Sequence, residues 1–401
     1  MFRIIISLLA ILYGTGCAVA SPPPDDDVAK PFQTGWWTDV TRPAYLAGYA
    51  AAGTTLVLAN GAGWFTASSD RGRIGTYLDE AQKQGVKVIV SMTRKYTPKG
   101  TAVKEFTDTI TAYKDHPALF AWYIGDEPEI YDNHDANPDD DWMITHGYLA
   151  ASPGYYQLAK SADPVHPILI SFNMLYDPLD SYYAKVQRFF DVTDLVGMHN
   201  YPFWRTDSEF EGGDSRMQYD VWKYMLEKTA QNDKAGFIAT AQGFGTNSHD
   251  AIYRDPTYAE LRHQVFSAVV LGIDTVLFWY DGWSSLVMKE RVKQMVGQIQ
   301  AIGAPMNNGI TNDTRIGVSV ADRNRLVYRY GTSGGDRVIL AVNIANRSTA
   351  GGAALNDVRF TLPDGVNSTQ VTVLDENRTL SVTSGAFSDS FAPFAVHIYK
   401  F

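Results

Sequence analysis

Apolar residues along this chain fall into short unbroken runs, separated by longer stretches in which apolar positions recur every three or four residues. The unbroken runs are TGWWTDV (34–40), TTLVLAN (54–60), VKVIVSM (86–92), ALFAWYIG (118–125), PILISFN (167–173), DLVGMHN (194–200), GFIATAQ (236–242) and TVLFWYD (275–281). Strands buried on both faces read this way, because neither face needs polar side chains. The periodic stretches between them predict helices, among them 74–84 closed by Gly85, 102–114, 218–231, 258–271 and 289–302. Eight strand–helix units in succession predict a (β/α)8 TIM barrel over residues 32–305. The rival, a doubly wound sheet, would more often show a glycine-rich phosphate turn after its first strand, and none follows residue 40.

Beyond Pro305 the helical period disappears. RIGVSVAD, RLVYRYG, RVILAVNIA, VRFTLP, TQVTVLD and FAVHIYKF are short strand patterns split by turns, which predicts a small antiparallel β-sandwich over 314–401. At the other end, Met1-Phe2-Arg3 leads into IIISLLAILYG, an apolar run too short to span a bilayer comfortably. Residues 1–20 are therefore expected to be a signal peptide and 21–31, with its SPPPDDD run, a flexible linker. Two exits compete: cleavage after Ala18-Val19-Ala20, or acylation of Cys17 in Gly14-Thr15-Gly16-Cys17, which resembles a bacterial lipobox apart from Gly14. Either predicts an exported protein, secreted or lipid-anchored at the cell envelope. Cys17 is the one cysteine, so the mature chain has no internal disulfide.

A formal net charge of −10 argues against nucleic acid and anionic membranes as partners. A monomer is expected. The four N-glycosylation sequons, at Asn312, Asn346, Asn367 and Asn377, read as chance in a Ser/Thr/Asn-rich region. The acidic stretch DNHDANPDDD (132–141) lacks the spacing of a calcium loop and reads as solvated. The histidines show no zinc-ligand spacing and there is no Gly-x-Ser-x-Gly elbow, so neither a metal nor another cofactor is implied.

The chemistry is expected where the barrel strands end. Those ends supply Trp37 and Asp39, Asn60 leading to Trp64, Arg94, Asp126 with Glu127, Asn173, His199-Asn200-Tyr201 leading to Trp204, Gln242, and Trp279-Tyr280-Asp281. Each has an ordinary explanation alone, as core aromatic or helix cap. Together, aromatics interleaved with amides and carboxylates suit the stacking of sugar rings and the bonding of hydroxyls, so a carbohydrate substrate is expected. Glu127 could be no more than a carboxylate at a helix N-terminus before Pro128. Among aromatics, though, it would be desolvated and held protonated, as a general acid for glycosidic cleavage must be.

HPALFAWYIGDEPE resembles the fourth-strand signature of clan A glycoside hydrolases, which ends in Asn-Glu-Pro. That resemblance implies that Glu127 is the acid/base and that Asp126 takes the place of the Asn that contacts the sugar 2-hydroxyl. GMHNYP resembles the sixth-strand segment that supplies an active-site aromatic, here Tyr201, and LFWYDGW the eighth strand with its sugar-stacking Trp, here Trp279. The chain departs from the family at the seventh strand, where Gln242 stands in place of the nucleophilic Glu and no Asp or Glu lies between Lys234 and His249. Three readings stay open. Another carboxylate, Asp281 or Asp39, completes the mechanism. Or the substrate does so with a 2-acetamido group, since Gly125-Asp126-Glu127 also resembles the fourth-strand end of chitobiase-type hexosaminidases. Or the barrel binds glycans without cleaving them. Trp37, Asp39, Arg94, His199, Asn200, Tyr201, Gln242 and Trp279 are the expected substrate contacts.

Overall fold

The computed structural model describes residues 32–38, 41–60, 71–92, 101–131, 154–173, 178–203, 215–245, 253–279, 281–344 and 354–401. The expected leader and linker, the acidic stretch 132–141, and Asp39, Trp64, Arg94, Trp204 and Tyr280 lie outside the described residues.

Eight parallel strands close a barrel in chain order: β1 (Gln33–Thr38), β2 (Leu56–Ala59), β3 (Lys87–Ser91), β4 (Leu119–Asp126), β5 (Ile168–Asn173), β6 (Leu195–His199), β7 (Gly236–Gln242) and β8 (Thr275–Trp279), with β8 pairing back onto β1. Around it lie α1 (Leu46–Ala51), α2 (Arg71–Gln84), α3 (Thr101–Tyr113), α4 (Pro128–Tyr131), α5 (Tyr155–Ala162), α6 (Leu179–Val186), α7 (Ser215–Gln231), α8 (Tyr258–Leu271) and α9 (Leu286–Asn307). The five helices predicted from periodicity are α2, α3, α7, α8 and α9; the others are too short to carry a readable period.

The unbroken apolar runs have the cause inferred for them. In β2, Leu56 and Leu58 join the barrel interior with Tyr123 and Leu277, whereas Val57 and Ala59 join the shell packed under the helices. Burying each such aliphatic side chain contributes roughly 1.5–3 kcal/mol, so both faces of every strand stabilise the barrel. Gly35 marks a close approach of strands: a Cβ there would fall 1.8 Å from the Leu56 carbonyl oxygen.

The second unit has two sheets. One runs β10 (Gly317–Ser319), β13 (Leu355–Thr361), β16 (Ala386–Phe391); the other runs β15 (Arg378–Ser381), β14 (Gln370–Val373), β17 (Val396–Lys400), β12 (Asp336–Asn343), β11 (Leu326–Ser333), β9 (Ile310–Thr311). α9 continues through Pro305, and β9 already belongs to this unit, so the sandwich begins ahead of the 314 expected from sequence. The larger sheet alternates: Tyr328, Ile339 and Tyr399 face the smaller sheet, while Val327, Leu340 and Ile398 join the barrel's outer core. The sandwich thus covers α8, which explains why that helix is buried nearly all round. A Thr257/Glu260 capping box starts α8 and Gly272, at φ 89°, ends it.

Candidate active site

Two consecutive residues of a regular strand point to opposite faces, yet Asp126 and Glu127 arrive on the same side of the barrel mouth. The pairing of β4 with β5 explains how. Ala121 and Tyr123 face the interior, and the register then slips between Tyr123 and Gly125. This bulge shifts the alternation, so Asp126 pairs with Ser171, which lies on the inward face with Leu169. Glu127 follows with φ 46°, in the left-handed region, its N–H donating to the Ser171 carbonyl at 2.8 Å. For a residue with a Cβ this conformation costs on the order of 1 kcal/mol or more. Its result is that one oxygen of each carboxylate and a ring nitrogen of His199 all lie within 4.8 Å of one another. The neighbouring strand is made to fit: a Cβ on Gly197 of β6 would lie 2.8 Å from Ser171 Oγ.

Glu127 Oε1 accepts from Asn173 Nδ2 at 2.9 Å and lies 3.2 Å from His199 Nε2. Burial raises the Glu127 pKa above the ordinary carboxylate range, opposed by the Asn173 hydrogen bond. His199 Nε2 is also 3.8 Å from Asp126 Oδ1. Burial pushes the imidazole down to about 4 against the pull of Asp126, so the ring is neutral near pH 7. The Tyr201 phenol is raised well above its usual value, by burial first and then by the charges of Glu127 and Asp126, so it stays a hydroxyl that can donate.

The aromatics divide by exposure. Trp37 is 1% exposed and forms the floor, edge-on to Trp279 at 4.8 Å and to Tyr123 at 5.1 Å. Trp279 is half-buried and offers the accessible ring. Tyr201 packs on His199 and, with Tyr253, on Phe244. Asn200 is buried at the rim, its carbonyl accepting from Gln218 of α7 at 2.6 Å.

Two expected site residues have other duties. Gln242 is fully buried; its Nε2 donates to the carbonyls of Phe203, Phe244 and Arg254 at 3.1–3.2 Å, and its Oε1 accepts from Phe203 N at 3.0 Å. The amide therefore ties together the segments after β6 and β7. Asp281 is 4% exposed, accepting from Thr38 Oγ1 at 2.5 Å and from the Tyr49 hydroxyl of α1. The short turn after β8 directs its carboxylate between β1 and α1, where burial first and then the Asp281 charge raise the pKa values of Tyr49 and Tyr77. The carboxylate proposed as nucleophile or base is thus engaged by Thr38 and Tyr49. Asp39 and Arg94 are not among the described residues.

The structure adds Glu129, which sequence reasoning passed over. Its Oε1 accepts from the Asn173 backbone N–H at 2.6 Å and from the buried Tyr182 hydroxyl at 2.8 Å, while Oε2 is enclosed without a hydrogen-bond partner among the described residues. Burial, aided by the charge of Glu127, lifts it to about 8. Asn173 thus links the carboxyls of Glu127 and Glu129. The second Glu of DEPE was the available signal. Among the described residues, Asp126, Glu127 and His199 are the group whose spacing could hold a metal ion.

No family model matches the chain, and no curated protein matches it. Among solved structures it is similar to a glycoside hydrolase family 5 protein from Bacteroides vulgatus ATCC 8482 (13% identity, 92% of this chain and 88% of that one, TM-score 0.55). It is also similar to the family 30 subfamily 8 xylanase Xyn30A from Clostridium acetobutylicum (12% identity, 93% and 96%, TM-score 0.51). Against a β-galactosidase from Rahnella sp. R3 it aligns at 11% identity and TM-score 0.48, spanning 57% of that chain's length. At these identities the likeness is one of fold.

Proposed function

We propose that this protein is a glycoside hydrolase in which Glu127 is the general acid. The observation that carries the reading is the Glu127 carboxyl itself. It sits at the C-terminal mouth of the barrel, its pKa raised by burial and its orientation held by Asn173, beside the buried imidazole of His199. A protonated carboxyl there can give its proton to a glycosidic oxygen as the C1–O bond breaks. Neutral His199 beside it does not hold a competing proton near pH 7.

The second catalytic group follows from what the other carboxylates do. Paired carboxyls that flank a scissile bond stand about 5–5.5 Å apart for retention or about 6.5–9.5 Å for inversion. Asp126 and Glu127 are adjacent, on one side of the mouth and within 4.8 Å. Asp281 and Glu129 are enclosed and engaged. Among the described residues this favours a nucleophile supplied by the substrate. The carbonyl oxygen of a 2-acetamido group attacks C1 as Glu127 protonates the leaving oxygen. Asp126 accepts the acetamido N–H as positive charge develops there, and Tyr201 donates to the attacking group. Water then opens the oxazolinium, with the Glu127 carboxylate taking its proton. The competing reading assigns the second role to Asp39.

The test is a matched pair of aryl glycosides that differ only at C2, acetamido against hydroxyl. Turnover of the acetamido member at least 100-fold faster supports the substrate-assisted route. Comparable rates with both, abolished in Asp39→Asn, support the alternative. No hydrolysis of either pair across gluco, galacto and manno series would count against hydrolysis itself.

A further inference from the structure

The corner of the mouth that holds the acid also has the geometry of a cation site. We propose that Asp126, Glu127 and His199 together bind one divalent transition-metal ion of the zinc class. The clearest sign is His199. It is 4% exposed, and among the described residues neither of its ring nitrogens has a hydrogen-bond partner. Leaving a buried polar group unsatisfied costs roughly 1–3 kcal/mol, which a metal at Nε2 would offset. That nitrogen is aimed at two carboxylates, 3.2 Å from Glu127 Oε1 and 3.8 Å from Asp126 Oδ1.

The spacing fits an ion. Ligands at about 2.0–2.2 Å around a tetrahedral centre stand roughly 3.4 Å from each other, and the two His199 distances bracket that value. The donor atoms all fall within 4.8 Å, so closing the set needs a small approach of one carboxylate. Asp126 can make it: its side chain is 37% exposed. The imidazole is already oriented between Trp37 and Tyr201, at ring distances of 5.8 and 5.3 Å. A fourth position would be left for water, as in open zinc sites. One imidazole with two carboxylates selects zinc or its neighbours over magnesium and calcium, which prefer all-oxygen sets. The ligands come from two separate strands, so no short sequence motif announces them. If Glu127 is the general acid, occupancy would also block catalysis, since a coordinated carboxylate cannot deliver a proton; that clause alone rests on the proposed function.

Binding is measured without substrate, so its failure leaves the hydrolase reading intact. The full chain is stripped with a chelator, dialysed and titrated calorimetrically with ZnCl2 alone and with MgCl2 alone. The expected result is one zinc per chain and no magnesium heat, with zinc affinity at least tenfold weaker in His199→Ala and in Asp126→Asn. Asp126 is accessible enough for its Asn variant to fold, so it decides the matter if the buried His199 variant does not. Zinc affinity unchanged in Asp126→Asn, as a surface pair such as His116–Asp79 would give, or no stoichiometric zinc binding at all, would overturn the proposal.

Discussion

At the scale of single residues, Glu129 gives the sharpest pH prediction. Its folded pKa of about 8 lies above the ordinary carboxylate value, so folding favours its protonated form. The sign follows: that contribution is full below the unfolded pKa and is lost as pH rises through about 8. Glu129→Gln mimics the protonated acid and keeps an Oε1 acceptor for Asn173 and Tyr182. Its melting temperature should therefore fall less than that of the wild type between pH 6 and 9; parallel curves would mean that Glu129 does not titrate in this window. Gln242→Glu should not create activity. It replaces an amide donating to three carbonyls with a buried carboxyl lacking those donors, at a cost of roughly 3 kcal/mol or more. A denaturation curve and a rate measurement check both halves, and a clear gain in turnover would show that Gln242 holds a nucleophile's place. Residue identity was legible where a strand fixes direction: Asp126, Glu127, His199 and Trp279 gather at the mouth. The burial of Asp281 and Gln242 was not legible, because side-chain direction beyond a strand end depends on the turn that follows, and burial of a polar group depends on loops the sequence does not place.

At the scale of elements, the eight apolar runs and five long helices could be read because parallel strands buried on both faces and long amphipathic helices leave distinct periods. The bulge in β4 could not be read with the same ease. Gly125 within a strand pattern was its sign, but the slip that brings Asp126 opposite Ser171 is a property of the pairing. Gly197 tests how closely β5 and β6 must approach beneath the site. In Gly197→Ala the new methyl would meet Ser171 Oγ at 2.8 Å and its Cβ at 3.0 Å. Overpacking of this kind costs roughly 1–3 kcal/mol, and the shift would reach Glu127, whose N–H is bonded to the Ser171 carbonyl. The urea midpoint and turnover should both drop; wild-type values for both would show that the strands have slack there.

For the whole molecule, the sandwich is part of the core. Leu340 and Ile398 share a continuous apolar cluster with the barrel's outer shell. His263 of α8 bonds the Asn343 carbonyl at 3.0 Å, and Arg329 Nε bonds the Met306 carbonyl at 2.7 Å. Truncation after Asn308 would uncover α8, which is buried nearly all round and carries the buried polar residues Arg262 and His263. The truncated barrel should aggregate or melt well below the full chain, and the full chain should unfold in one transition. Two separate calorimetric transitions, with the lower one lost on truncation, would show that the units are independent. The change of period after Pro305 revealed a second unit. Its docking was hidden, because a strand that is apolar on both faces looks the same whether it covers a helix or a sheet.

The central claim is that Glu127 supplies the proton for glycosidic cleavage, and leaving-group dependence addresses it most directly. Turnover of Glu127→Gln is compared with the wild type on an unactivated glycoside and on its 2,4-dinitrophenyl counterpart, whose leaving group departs without protonation. The account predicts a loss of at least about 100-fold on the first substrate, the usual share of general acid catalysis, and a much smaller loss on the second. It also predicts that the wild type's alkaline limb on the unactivated glycoside, where the raised Glu127 pKa is passed and the acid deprotonates, is absent in the variant. An equal loss on both substrates, or half of the wild-type rate retained on the unactivated one, would contradict it.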